Sequence, residues 1–148
     1  MTVKEYLGQA YLLDQRIQSD TMECEELRLM SQTISSSGFE EHFNASRNTA
    51  APYIRTLEKM LDMEKRIMEE LQSLLALKDQ IREVISQVER PEYKTVLKYR
   101  YIHNYSWTRI ADIVAVDERT IRRWHNKAIA KIILPENAIN LKNVRVCP

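Results

Sequence analysis

Between Ser106 and Ile132 the apolar residues fall into two helical stripes separated by a break at Ala115-Val116-Asp117. Two short helices crossing at a tight turn bury such a pattern; a single continuous helix or a strand does not. Ile110, Ala111 and Val114 mark the first stripe, Val116 sits in the break, and Ile121, Trp124, Ala128 and Ile132 mark the second. Ser106 and Asp117 stand just before the stripes, where a side-chain oxygen can accept a hydrogen bond from an orphan amide of the first turn. Ala111 is small where two helices must approach closely, and the remaining apolar side chains close a miniature core around it.

The opposite face of the second helix carries Glu118, Arg119, Arg122, Arg123, Asn126 and Lys127. Arginine and asparagine present forked donors and acceptors that match guanine and adenine edges in the major groove of DNA, and a carboxylate can accept from cytosine. Glu118, Arg119, Arg122, Arg123 and Asn126 are therefore the expected base-reading residues. Ser106, Thr108, Thr120, Lys127 and Lys131 offer the hydroxyl and ammonium donors suited to phosphates.

Charge is divided along the chain in the same sense. Residues 1–88 hold 10 Lys and Arg against 15 Asp and Glu, and residues 89–148 hold 12 against 6, so a total of +1 hides an acidic part joined to a basic one. A locally basic module is the electrostatic footprint of a phosphate-binding surface. Two glycines and four prolines in 148 residues point to a strongly helical chain. No apolar run approaches the roughly 20 residues that span a bilayer, and MTVKEY is not a signal sequence, so a cytoplasmic protein is expected. Cys24 and Cys147 stand far apart with no neighbouring cysteine, which argues against a disulfide or a thiolate metal site.

Val3, Tyr6, Leu7, Ala10, Leu13, Ile17, Cys24, Leu27 and Ile34 recur at helical spacing and predict one amphipathic helix of up to about 30 residues. Ser35-Ser36-Ser37-Gly38 and the polar residues through Asn48 read as a loop, and Pro52 suits the first turn of the next helix. From there to Val88 one heptad frame places Tyr53, Met60, Ile67, Leu74, Ile81 and Val88 at one core position and Leu57, Glu64, Leu71, Lys78 and Ile85 at the other. Leu61, Met68 and Leu75 widen the stripe, which predicts burial against more than one helix: the N-terminal helix folded back, and a second copy of the chain. Glu64 and Lys78 interrupt the seam and either fix its register across an interface or snorkel out of an intramolecular hairpin.

Pro91 ends that helix and starts another, in which Tyr93, Val96, Leu97 and Tyr101 can brace the two short helices. After Ile132 the tail has no sustained period and is expected to be short, irregular and partly mobile. The expected organisation is an all-α chain with a helical hairpin or coiled coil at 1–88, a three-helix DNA-binding domain at 89–133 and an irregular tail at 134–148.

The segment from Glu89 to Ile132 resembles region 4 of bacterial sigma-70-type factors, in which a bracing helix precedes a promoter-reading helix-turn-helix. Together with KEYLGQAYLLDQRI, LDMEKRI, ERPEYKTVLKYRYI and RRWHNKAIAKI, it makes residues 3–132 resemble small phage-encoded proteins of Gram-positive bacteria, a family grouped with the ArpU and RinA phage transcriptional regulators. The resemblance implies a sigma-like activator of phage late genes that works at promoters with host RNA polymerase. Matched onto the sigma pattern, Glu118, Arg119, Arg122 and Arg123 face DNA, and Ile121, Trp124, Ala128 and Ile132 face the core. Two positions depart from the pattern: Ala115 stands where the turn often has glycine, and Trp124 is bulky for its place. Residues 1–88 also lack the basic and aromatic cluster that captures melted promoter DNA, so an activator or accessory factor is implied, not a complete sigma factor.

Enzyme chemistry finds no support in the sequence. Gly8 and Gly38 are isolated, so no phosphate-cradling loop exists, and His42, His103 and His125 have no metal-ligand partners at helical or hairpin spacing. His125 reads as a packing or phosphate-contacting residue, and Glu40-Glu41 and Glu69-Glu70 as solvated faces. No catalytic residue, metal, cofactor, membrane or small-molecule substrate is expected. The expected partners are double-stranded DNA, host RNA polymerase and a second copy of the chain, most simply as a dimer. Two other readings remain: a DNA-packaging protein of the small-terminase kind, and an interaction protein whose basic helix grips polymerase.

Overall fold

The computed structural model describes residues 1–37 and 50–141; of residues 34–37 and 50–53 only the backbone is described. The expected loop began at Ser35, but the first helix continues through Ser37 on its backbone hydrogen bonds; the rest of that loop, His42, Glu40-Glu41 and Cys147, and the side chains of Ile34 and Tyr53, lie outside the described residues. Among the described residues five α-helices run in order: α1 (Val3–Ser37), α2 (Ala50–Ser86), α3 (Pro91–Leu97), α4 (Trp107–Val114) and α5 (Glu118–Lys131). A wide π turn over Lys98–Ile102 continues α3. Among the described residues the fold is all-α, with no strand. None of the described helices is long and apolar enough to cross a membrane.

Two compact units divide the chain, Gln15–Gln72 and Met1–Asp14 with Ser73–Pro148, so compactness does not follow the compositional boundary at residue 88. In the first unit α1 and α2 run antiparallel. Arg16 pairs with Glu70 at 3.0 Å, Asp20 with Arg66 at 3.7 Å and Arg28 with Glu64 at 2.8 Å, one residue number falling as its partner's rises. Glu64 thus closes an ion pair within the hairpin. Ile17, Cys24 and Met63 are buried between the two helices.

The buried row on α2 is Met63, Glu70, Leu77 and Val84, beside Leu74 and Ile81, with Val88 buried just past the helix end. This corrects the expected frame, which took Leu57, Glu64, Leu71, Lys78 and Ile85 as the second core position; the first four are only half-buried, and Ile85 alone of the five is fully buried. Leu61, Met68 and Leu75, expected to widen the buried stripe, are each 58–59% exposed. Glu70, expected on a solvated face, is 6% exposed. It follows Met63 by one heptad, on the stripe turned to α1, and Arg16 compensates its charge while its Oε2 keeps no hydrogen-bond partner.

In the second unit Val96 of α3, Ile110 and Ala111 of α4 and Ile121 of α5 form the centre of a core. Val114, Val116, Trp107, Trp124, Tyr99 and Tyr105 pack around it. Ala128 and Ile132 are also buried. Ser106 accepts from the Arg109 amide at 3.2 Å and Asp117 from the Thr120 amide at 3.0 Å, the two caps expected from the sequence and each worth about 1 kcal/mol. Between the helices Ala115 adopts φ 57, ψ 43, the left-handed conformation that its glycine-like place in the turn requires. The expected single bracing helix differs: after Leu97 it widens, with the His103 amide donating to the Lys98 carbonyl at 3.2 Å. Widened turns of this kind shift side chains off the α-helical register.

Candidate nucleic-acid interface

With Ile121, His125 and Ala128 turned into the core, the helical period leaves Arg119, Arg122, Arg123, Asn126 and Lys127 pointing away from it. These five, with Thr120 and Ala130, line an open concavity of about 660 Å³ along α5. The structure thereby brings together four of the five expected base-reading residues and two of the five expected phosphate residues.

Glu118 stands apart from that group in its bonding. Its Oε1 accepts from Arg122 Nε at 2.9 Å and Nη2 at 2.6 Å, and its Oε2 accepts from the Thr108 hydroxyl at 3.2 Å. The Arg122 guanidinium beside it holds the Glu118 carboxyl below its ordinary range. Arg122 also lies 5.3 Å from the centre of the Trp107 ring, and Arg100 lies 4.5 Å from the same ring. Among the described residues none forms an ion pair within 4 Å with Arg119, Arg123 or Lys127.

The hydroxyls expected on phosphates are mostly committed. Thr108 donates to Glu118, and Thr120 donates to Asp117 Oδ1 at 2.9 Å, so neither has its hydrogen left for a phosphate. Bonds from the Thr120 hydroxyl and amide hold the Asp117 carboxyl below its usual value. Ser106 accepts in its cap and keeps its own O–H to donate. Lys131 lies elsewhere, its ammonium 5.9 Å from the Tyr93 ring centre, on a ring that Arg90 approaches at 5.5 Å. It is absent from the lining of the concavity.

His125 is a packing residue. It is 4% exposed, its Nε2 lies 2.7 Å from the Tyr101 hydroxyl, and the Trp107 ring meets it edge-on at 4.7 Å. Burial, helped by the positive charges of Lys4 and Arg100, pushes its pKa down to about 4.

The sequence reading missed an aromatic and cationic girdle beside α4. Tyr105 stacks on Tyr99 at 5.6 Å, Arg109 lies 3.9 Å over Tyr105, and Arg100 donates to the Tyr105 carbonyl at 2.9 Å. The alternation of aromatic and basic residues from Lys98 to Arg109 is the signal that carried it. Among the described residues no cluster of His, Cys, Asp and Glu is placed to hold a metal. Residues 15–133 match a family described as a protein of unknown function (DUF722). No curated protein and no solved structure matches the chain.

Proposed function

The chain belongs to the DUF722 family, and we propose that it is a sequence-specific double-stranded DNA-binding transcriptional regulator. The observation that carries this reading is the surface of α5, where Arg119, Arg123, Asn126 and Lys127 share one open face that carries no ion pair among the described residues. A helix of that size fits the major groove, where Arg119, Arg123 and Asn126 would meet base edges at about 1–3 kcal/mol of discrimination for each good pair. Lys127, and Ser106 at the start of α4, would meet phosphates and give the salt-sensitive part of the affinity.

One such module buries only about 600–1,000 Å² of protein surface, too little for tight specific binding without a second contribution. A second copy of the chain is the simplest source. Ile54, Leu61, Met68 and Leu75 recur every seventh residue of α2 and are 49–59% exposed, a spacing suited to another helix laid alongside. The resemblance to phage regulators makes promoters of late phage genes, host RNA polymerase and the bacterial cytoplasm the setting in which the activity would operate.

Selection of bound duplexes from a random DNA pool at near-physiological salt tests the reading, with wild type run beside Arg119→Ala/Arg123→Ala. Enrichment of a defined sequence by wild type and its loss in the variant is the expected result. No enrichment by wild type would reject sequence-specific binding and turn the search to protein partners.

A further inference from the structure

The segment after α5 pairs through its main chain with two glutamine side chains. Gln80 on α2 accepts from the Ile139 amide at 2.9 Å and donates to the Asn137 carbonyl at 3.1 Å. Gln9 on α1 accepts from the Leu141 amide at 2.8 Å and donates to the Ile139 carbonyl at 3.1 Å. The contacted residues are alternate ones, 137, 139 and 141, the spacing at which an extended chain turns its main-chain groups to one side; the Ala138 amide donates to the Pro135 carbonyl at 3.1 Å, so the segment enters this pairing from a turn. Each side-chain amide supplies one donor and one acceptor, the same pair that a neighbouring strand would present.

The two amides are built into the fold. The Tyr6 hydroxyl, on a fully buried side chain, donates to Gln80 Oε1 at 2.8 Å and orients it. Gln9 is 8% exposed, and its Nε2 also meets the Tyr6 carbonyl at 3.2 Å and Met1 Sδ at 3.5 Å. A buried glutamine whose amide atoms point at another segment's backbone is costly to desolvate unless that backbone is there. All four bonds fall on main-chain atoms, so the pairing is indifferent to the side chains of the segment it holds.

We propose that Gln9 and Gln80, oriented by Tyr6, form a main-chain-reading peptide site whose ligand is an extended polypeptide strand, filled by this chain's own residues 137–141. The site is a latch: it fastens the chain leaving α5 to the start of α1 and the end of α2, and a strand of the same backbone geometry replaces the resident when the resident cannot pair. The inference does not depend on the DNA reading.

The test uses the full chain carrying Ile139→Pro/Leu141→Pro, which removes both N–H donors of the resident segment. The probe is a fluorescently labelled, end-blocked peptide of sequence LPENAINL, residues 134–141. It is expected to bind the proline variant saturably and at least about 10-fold more tightly than wild type, where the tethered segment competes at high effective concentration. Adding Gln9→Ala/Gln80→Ala should abolish that binding, and a peptide N-methylated at the positions of 139 and 141 should not bind. Equal binding to wild type and the proline variant, or undiminished binding of the N-methylated peptide, overturns the proposal. Amide hydrogen exchange on the unmodified chain gives an independent readout. Protection of the Ile139 amide should fall in Gln80→Ala and that of Leu141 in Gln9→Ala, and unprotected exchange of both in wild type also overturns it.

Discussion

Arg122 sets two of its donors on a single oxygen of Glu118, at 2.9 and 2.6 Å, while its guanidinium lies against Trp107. Two residues that share the outward face of α5 in the sequence are thereby coupled to each other before any partner arrives.

Removing that coupling should change how α5 meets an anion. Glu118→Ala deletes a negative charge from the surface and frees Arg122, so the dependence of log affinity on log salt for duplex DNA should steepen by about one unit. Arg122→Ala should weaken binding less than Arg123→Ala, because among the described residues no carboxylate hydrogen bond holds Arg123 as Glu118 holds Arg122. Fluorescence anisotropy across a salt series checks both.

The exposed heptad row on α2 predicts a self-associating chain. Leu61→Lys/Met68→Lys places two ammonium groups on that row without touching the buried stripe of Met63, Leu77 and Val84. Sedimentation equilibrium should show the wild type as a dimer and the variant as a monomer with unchanged helical content. A wild type that stays monomeric at tens of micromolar, free and on DNA, would remove the second copy from the reading.

His125 makes stability depend on pH with a definite sign. Its pKa falls from an ordinary 6.5 to about 4 in the fold, so between those values the unfolded chain binds the proton and the folded chain does not. The contribution is complete above pH 6.5 and is lost as pH falls toward 4, amounting to about 2–3 kcal/mol. Urea melts at pH 7 and pH 4.5 should differ by more in wild type than in His125→Phe.

Ala115 pays for its left-handed backbone. Ala115→Gly should stabilise the chain by up to about 1 kcal/mol, and Ala115→Val, β-branched at positive φ, should destabilise it by more than that. Thermal melts of the two variants move in opposite directions if the turn keeps its conformation.

Arg16 and Glu70 separate a charge that is needed from one that is merely compensated. Arg16→Ala leaves a buried carboxylate without its cation and should cost about 1–3 kcal/mol, below the range of about 3–5 kcal/mol for a fully buried pair because Arg16 is itself half exposed. Glu70→Leu removes the charge and its desolvation together and should be neutral or stabilising. Chemical denaturation of both variants tests the asymmetry.

What could be read from residues alone was local. Ser106 and Asp117 cap the helices they precede because caps are settled by atoms within a few residues of one another, whereas the sequence marked Ala115 only as a departure from glycine and the structure shows the left-handed turn kept there. The partition of α5 into Ile121 and Ala128 inside and Arg119, Arg123 and Asn126 outside follows from a helical period and needs no knowledge of the neighbours. The heptad frame was harder. Two adjacent rows of α2 are both rich in apolar residues, and periodicity does not say which of them α1 covers.

By itself the sequence determined an all-α chain, the stripe and turn from Ser106 to Ile132 and the cationic face of α5, since each rests on spacing and short-range bonding. Only the tertiary structure decided that Glu70 is buried, that Arg122 is held by Glu118 and Trp107 together, and that residues 137–141 pair with Gln9 and Gln80. Trp107 lies well before Arg122 in the chain, and Gln9 lies far from Leu141. Contacts over such separations depend on which surfaces meet after the helices pack, and the one-dimensional pattern of a sequence does not contain that choice.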